Sequence, residues 1–340
     1  MTAPDRLRIA TYNIEWFNAL FDDQGRLHED AQPSARYGIS RADQLTALGI
    51  VFTAMDADGV MVIEAPDTNG RRKSSRALER FAAHFGLRTS RAVTGFVSET
   101  EQEIAFLYDP ARLTVRHDPQ GEPRFDGTFR LDLNGDGIAE PIRRSKPPLE
   151  LAVRVSGRAS GRDLRLIGVH VKSKAPHGAR NADETRRIAI ENRRKQLAEC
   201  IWLRQRVLSH LEAGEDLLVM GDFNDGPGLD EYEKLFGHSG VEVVMGVTCP
   251  PEQRLFDPHA QMALESRLQP TTARFYNTEF ERYFEALLDF IMVTPRLAAQ
   301  APRWRIWHPL NDPACWRTPE LRDALLAASD HFPVTLDLPL

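Results

Sequence analysis

Three cysteines in 340 residues, Cys200, Cys249 and Cys315, are too few and too far apart for a disulfide framework, and their spacing offers no zinc site. No stretch reaches the roughly 18 consecutive apolar residues that a membrane-spanning helix needs. A basic excess is also missing. Lys and Arg number 43 against 49 Asp and Glu, a net charge of -6, so no global positive field exists to wrap nucleic acid non-specifically. A local basic groove survives such averaging. Residues 1–10 lack the charged-then-apolar order of a signal segment, which sets the expectation of a reducing, cytoplasmic compartment. Internal repeats, low-complexity linkers and breaks in composition are absent too, so a single domain over residues 1–340 is expected.

What the chain does have is core-forming material, with 42% hydrophobic residues, in short apolar runs. Leu7–Ile14, Gly59–Ile63, Ile104–Tyr108, Leu149–Val155, Leu164–Val171, Asp216–Met220, Leu288–Val293 and Phe332–Leu338 read as strands, many of them bounded by Gly, Pro, Asp or Asn. Helical patterns lie between them at Ser40–Met55, with Ser40 as N-cap, at Ser74–Phe85 and at Glu184–Leu211, where Ile188, Leu197, Ile201 and Leu208 mark the expected buried stripe. Residues 91–171 read as successive strands without intervening helices. That mixture points to layered α/β with substantial antiparallel pairing. Three segments, near 18–37, 120–146 and 311–328, look like excursions from this frame.

Polar residues recur at the ends of the apolar strands. Asn13 closes Ile9–Asn13, Glu64 follows Val60–Ile63, His170 closes Leu166–His170, and Asp222 and Asn224 follow Leu218–Met220. Asp289 lies within Leu287–Ile291, and Asp330 and His331 precede the last strand. One carboxylate after a strand is ordinarily a turn residue or a helix cap. Six such places in one chain carry more weight, because a sheet gathers its strand ends along a rim. Together they supply hard oxygen ligands, two imidazoles and amide side chains, the groups that phosphoester cleavage with Mg²⁺ or Mn²⁺ requires.

The motifs Thr11-Tyr12-Asn13-Ile14, Ile63-Glu64, Gly168-Val169-His170, Gly221-Asp222-Phe223-Asn224, Leu288-Asp289-Phe290-Ile291 and Ser329-Asp330-His331 stand in an order that resembles the endonuclease/exonuclease/phosphatase superfamily, the DNase I-like fold. The likeness spans residues 8–338. It implies a four-layer α/β sandwich, two packed mixed β-sheets flanked by helices, with the site at one end. It further implies that Glu64 is the main metal carboxylate, helped by Asn13 and Asp330, and that one or two carboxylates plus waters suit Mg²⁺. Asp222 would orient or deprotonate the attacking water, or touch a second metal, with Asn224 holding that water or a phosphate oxygen. Asp289 and His331 resemble the family's paired Asp–His, and His170 its second imidazole. The family's DNase I branch pairs that second histidine with a glutamate on the strand 102–108; the register here offers Gln102, between Glu101 and Glu103.

For substrate, the stretch His170-Val171-Lys172-Ser173-Lys174 resembles the DNase I, bacterial sphingomyelinase and secreted-nuclease side of the superfamily rather than its exonuclease III-like repair enzymes. Lys172 and Lys174 are the expected phosphate contacts. Arg71, Arg72 and Lys73 are candidates for the rim, and the run from Arg180 to Lys195 is either a solvated helix face or a phosphate-backbone contact. Nucleic acid is the leading partner, and a small phosphoester such as a lipid head group, nucleotide or inositol phosphate is the alternative. A non-catalytic phosphate-binding module is the third reading. Separately, Asp132, Asn134 and Asp136 alternate before Gly137, like the first half of a calcium loop, but Arg143 holds the twelfth position; a hairpin turn is the plainer expectation, with Ca²⁺ as a structural clip the other.

Overall fold

Strands covered on both faces need no alternation of apolar and polar residues, and runs such as Val60–Ile63 and Leu217–Met220 are buried throughout. The computed structural model describes residues 6–100, 102–133, 135–156, 161–176, 178, 180–227, 237–266, 270–277 and 281–340. One sheet holds β1 (Arg6–Asn13), β2 (Gly59–Ala65), β3 (Arg91–Thr94), β4 (Glu103–Tyr108), β14 (Arg303–Ile306) and β15 (Val334–Pro339), in the order β14-β15-β1-β2-β4-β3. The other holds β5 (Leu113–His117), β8 (Leu149–Val155), β9 (Arg162–His170), β10 (Leu217–Asp222) and β13 (Asp289–Val293), in the order β13-β10-β9-β8-β5. Two hairpins, β6 (Phe129–Leu131) with β7 (Glu140–Ile142) and β11 (Ala273–Asn277) with β12 (Arg282–Ala286), stand apart from the sheets.

The sheets face each other across a core that includes Ile9, Met61, Phe106, Leu166, Met220, Ile291 and Leu336. The outer face of the first sheet packs Tyr12, Val62 and Leu107 against the helices α1 (Arg41–Met55) and α2 (Ser74–His84). The outer face of the second packs Val169, Val219 and Phe290 against the long helix α3 (Ala182–Glu212). This is the helix–sheet–sheet–helix sandwich anticipated from the sequence. Each buried Leu, Ile, Val or Phe contributes about 1.5–3 kcal/mol to holding the layers together. Among the described residues no helix is long and apolar enough to cross a membrane.

Two expectations need correction. The buried face of α3 is not the stripe Ile188–Leu197–Ile201–Leu208, of which Leu197 alone is buried. It includes Cys200, Leu203 and Val207 together with Arg193 and Arg206, whose charges are matched by Asp225 and Glu150. Cations on the covered face disguise the apolar period. The segment 311–328 is also no irregular excursion: it forms the helices Pro313–Arg317 and Pro319–Ala328, and the second of these packs Leu325 and Ala328 with α1. Segment 120–146 carries the β6–β7 hairpin, and Arg72 pins segment 18–37 by donating to the carbonyls of Phe21 and Asp22.

Candidate active site

Strand direction explains why the polar residues meet. β1 runs parallel to β2, and β9 parallel to β10, so Asn13, Glu64, His170 and Asp222 all lie at carboxyl ends on one rim. β13 and β15 run antiparallel to β10 and β1, so the same rim receives the beginnings of those two strands. Asp289 therefore sits opposite Asp222 in register, and Asp330 and His331 arrive just ahead of β15. All eight polar residues predicted for this end are brought to it.

The backbone is bent to present them. A register shift between Ile63 and Ala65 lifts Glu64 into a left-handed conformation with φ of 61°, and Asn224 has φ of 49°. Gly221, with φ of 137°, passes so close to Val169 that a Cβ would lie 2.0 Å from its carbonyl oxygen. Only glycine fits there, and this is what lets Asp222 follow at the very end of the strand.

Asp222 is the hub. It is buried, and its carboxylate accepts from Asn13 Nδ2 at 2.9 Å, from the Asn224 main-chain N–H at 2.7 Å and from Asn224 Nδ2 at 3.1 Å. Burial pushes its pKa up to about 7; His331 pulls the other way, and the neighbouring Asp289 adds to the rise. His331 Nδ1 lies 2.7 Å from Asp289 Oδ2. Although burial opposes its charge, the carboxylates of Asp289, Asp222 and Asp330 hold the imidazole's pKa well above the usual value. His170 is the reverse case. Burial, then the charges of Lys146 and His331, drive it well below the usual value, so it is neutral. Lys146 Nζ lies 3.2 Å from its Nδ1 and 3.1 Å from its Nε2.

Lys146 and Glu15 were not anticipated. β8 is antiparallel to β9 with Leu149 opposite Gly168, so the residues just before Leu149 flank His170. That pairing is the signal that would have pointed to Lys146. Glu15 lies two residues past Asn13 and pairs with Arg36. Burial, with Asp330 and Glu64 nearby, raises it to about 7. Glu64 is raised as well, chiefly by burial and against the pull of Lys146.

Other assignments shift. The Lys174 ammonium is turned to the buried Asp225, 2.6 Å away, which also takes Arg193 at 2.7 Å, so Lys174 and Arg193 anchor the segment instead of meeting substrate. Arg72 is buried in its own loop, which removes it from the rim, while Arg71 stays exposed in a surface pair with Asp23. The strand 102–108 does not supply His170 with its acid: Glu103, the first residue of β4, accepts from the Thr68 and Ser98 main-chain N–H groups, and the carboxylates that lie against the ring are Asp222 and Glu64, 3.6 and 3.9 Å from Nε2. In the calcium-like loop Asp132 accepts from the N–H groups of Gly135 and Gly137, both at 2.8 Å, as a turn between β6 and β7. Asn134 lies outside the described residues.

A divalent ion suits the donor set. Asn13 Oδ1, Asp289 Oδ1 and Asp330 Oδ1 are buried oxygens without a hydrogen-bond partner among the described residues, and such atoms are costly unless something satisfies them. Asp222, Asp289 and His331 also offer ligand atoms within 4.8 Å of one another. There, however, His331 is engaged by Asp289 and carries a proton, which makes it a poor metal ligand. Asn13 and Asp330, with Glu64 near Asp330, offer a second set of oxygens that could hold an ion.

A model of the Endonuclease/Exonuclease/phosphatase family matches residues 10–331. Among solved structures, TDP2 from Caenorhabditis elegans is 12% identical with a TM-score of 0.50, over 99% of this chain and 75% of that one. An endonuclease/exonuclease/phosphatase family protein from Bacteroides thetaiotaomicron is 15% identical with a TM-score of 0.50, over 99% and 95%. No curated protein is a significant sequence match.

Proposed function

The chain belongs to the endonuclease/exonuclease/phosphatase family, and from that premise we propose that it is a divalent-metal-dependent phosphodiesterase, with nucleic acid as its substrate class. The observation that carries this reading is the convergence on one rim of the Asp289–His331 pair, the Asp222 hub and buried oxygens lacking partners.

In this reading Asn13, Glu64 and Asp330 hold the ion, Mg²⁺ or Mn²⁺, which when bound supplies Lewis-acid polarisation of the phosphate. Asp222, with its pKa near neutrality, takes a proton from the attacking water, and Asn13 and Asn224 fix the carboxylate in place. The water oxygen bonds to phosphorus as the opposite ester oxygen departs. Asp289 occupies Nδ1 of His331, which directs Nε2 to a phosphate oxygen where charge builds up. Lys146 supplies positive charge on the other side, beside a neutral His170 that hydrogen-bonds and orients. Lys172 remains a candidate contact for a neighbouring phosphate.

The test is hydrolysis of bis-p-nitrophenyl phosphate and of DNA, with Mg²⁺ or Mn²⁺ against EDTA, by wild type and His331→Ala. Turnover that needs metal and is lost in the variant is expected. Turnover of neither substrate with either metal would refute the reading. A steep fall in DNA cleavage with salt is expected for backbone recognition, whereas a pocket for one small phosphate responds weakly.

A further inference from the structure

Six aromatic side chains are exposed on the described surface: Trp16, Tyr37, Phe275, Tyr276, Tyr283 and Trp316. Three of them, Phe275 at 41%, Tyr276 at 50% and Tyr283 at 53%, belong to the β11–β12 hairpin. That hairpin is tied to the catalytic rim by its main chain. Ala273 bridges to His331, and the Arg274 N–H donates to the Asp330 carbonyl at 2.7 Å. At about 3.3 Å of rise per residue, Tyr276 stands roughly 10 Å along the strand from the point that touches His331. Trp16, 50% exposed, follows Glu15 directly and donates its main-chain N–H to Glu64.

Successive residues of the ribbon face opposite sides, so Arg274, Tyr276 and Tyr283 share one face, the one with two exposed rings, and Phe275, Arg282 and Phe284 share the other. Arg274 lies 3.5 Å above the Tyr283 ring, and Arg282 lies 4.7 Å from the centre of Phe284. Tyr276 meets Tyr283 edge-on, and Phe275 lies nearly parallel to Phe284. Cross-strand aromatic pairs do help to hold a two-stranded ribbon together. Holding alone does not account for leaving three rings half in water beside a phosphate site. Resting on the phosphodiesterase reading, we propose that this hairpin is a stacking platform for unpaired bases, so that the protein takes single-stranded nucleic acid across the rim.

Three features select that occupant. A flat ring with a cation beside it complements a base next to its phosphate, and such stacking needs bases that are not already paired. The phosphate charge itself would be met at the site by Lys146 and Lys172, a few residues from the catalytic groups. A lipid surface is disfavoured, because the hairpin's described charges, Arg274 and Arg282 against Glu281 and Glu285, cancel, whereas attraction to an anionic leaflet requires a basic excess.

Two measurements test the proposal, with thermal melting and near-UV circular dichroism to establish that each variant is folded. Fluorescence anisotropy in EDTA reads binding of a labelled oligothymidylate and of a duplex of the same length. Single strand should bind more tightly than duplex, and the double variant Tyr276→Ser, Tyr283→Ser should lose affinity for it on the order of tenfold, while Tyr276→Trp retains it. With Mn²⁺, the ratio of kcat/KM for the oligonucleotide to that for bis-p-nitrophenyl phosphate should fall by a similar factor in the double variant. An unchanged ratio with intact turnover of the small diester would overturn the platform and leave the hydrolase reading standing. Absence of small-diester turnover in the wild type would overturn the hydrolase reading, with anisotropy still deciding the platform. Equal affinity for duplex, or loss of vesicle binding in place of oligonucleotide binding, would also overturn it.

Discussion

Metal binding at the rim should be coupled to proton release. Glu15 and Asp222 are both raised to about 7 by burial and by neighbouring carboxylates, and Glu64 is raised as well. An ion held among Asn13, Glu64 and Asp330 lies within electrostatic reach of these groups and favours their ionised forms. At about pH 6 a carboxyl with a pKa of about 7 is roughly one-tenth ionised, and at about pH 8 roughly nine-tenths. If binding releases one of these protons the apparent affinity rises about tenfold across that interval, and if it releases both about hundredfold, or ~2.7 kcal/mol. The same shifts act on the metal-free fold. A raised carboxyl pKa contributes stability that is present below the unfolded value of about 4 and is lost as pH climbs through about 7. The apo protein should melt lower at about pH 8 than at about pH 5, and the rise in Tm on adding Mn²⁺ should grow with pH. Calorimetric titration with Mn²⁺ in buffers of different ionisation enthalpy yields both the Kd and the protons released. A Kd that is flat between about pH 6 and pH 8, with no proton release, would refute the reasoning.

Asp289→Asn removes the charge that keeps His331 protonated, so the imidazole pKa should fall, and kcat/KM should drop more at about pH 8 than at about pH 6; an NMR titration of the ring reads the pKa directly. Gly221→Ala drives a methyl group into the Val169 carbonyl at a positive φ, and urea unfolding should show a loss on the order of 3 kcal/mol or more. Asp225→Ala takes a buried carboxylate away from both Arg193 and Lys174, which should cost about 3–5 kcal/mol in the same assay. Calcium should raise Tm through the β6–β7 loop only if Asp132→Ala abolishes the rise, and a calcium shift that survives the substitution would exclude that loop as the binder.

The rim was legible because strand ends are where a sheet must concentrate function. A single polar residue at the close of an apolar run has an ordinary structural explanation, so Asn13, Glu64, His170 and Asp222 stood out only together. Residues whose place depends on pairing were hidden. Lys146 precedes β8, and nothing local reveals that Leu149 will lie opposite Gly168. Glu15 carries no pattern beyond its spacing from Asn13. The covered face of α3 was misread because Arg193 and Arg206 are buried there by partners distant in sequence, Asp225 and Glu150. Lys174 looked like a phosphate ligand for the same reason. The helices at 313–328 are announced by Asp312-Pro313 and Thr318-Pro319, cap residues followed by proline at the first helical position. The β11–β12 hairpin alternates rings and charges over strands of five residues, a pattern with no single apolar face to mark it.

The two histidines close the argument, since one residue type on a single rim is cationic in one place and neutral in the other. Burial disfavours the imidazolium in both. His331 overcomes it through a carboxylate at 2.7 Å, while the nearest charged group to His170 is an ammonium at 3.1 Å, closer than Asp222 at 3.6 Å or Glu64 at 3.9 Å. Because burial is the larger influence on His170, Lys146→Met should raise its pKa only in part and leave it neutral at about pH 7. Lys146→Glu should do more, since a carboxylate at that point would supply the acid partner that β4 does not provide. NMR titration of His170 in the two variants reads the difference. If Lys146→Met alone brought His170 to its ordinary value, the lysine and not the buried surroundings would be what sets its charge, and the division of labour between the two imidazoles would rest on that one cation.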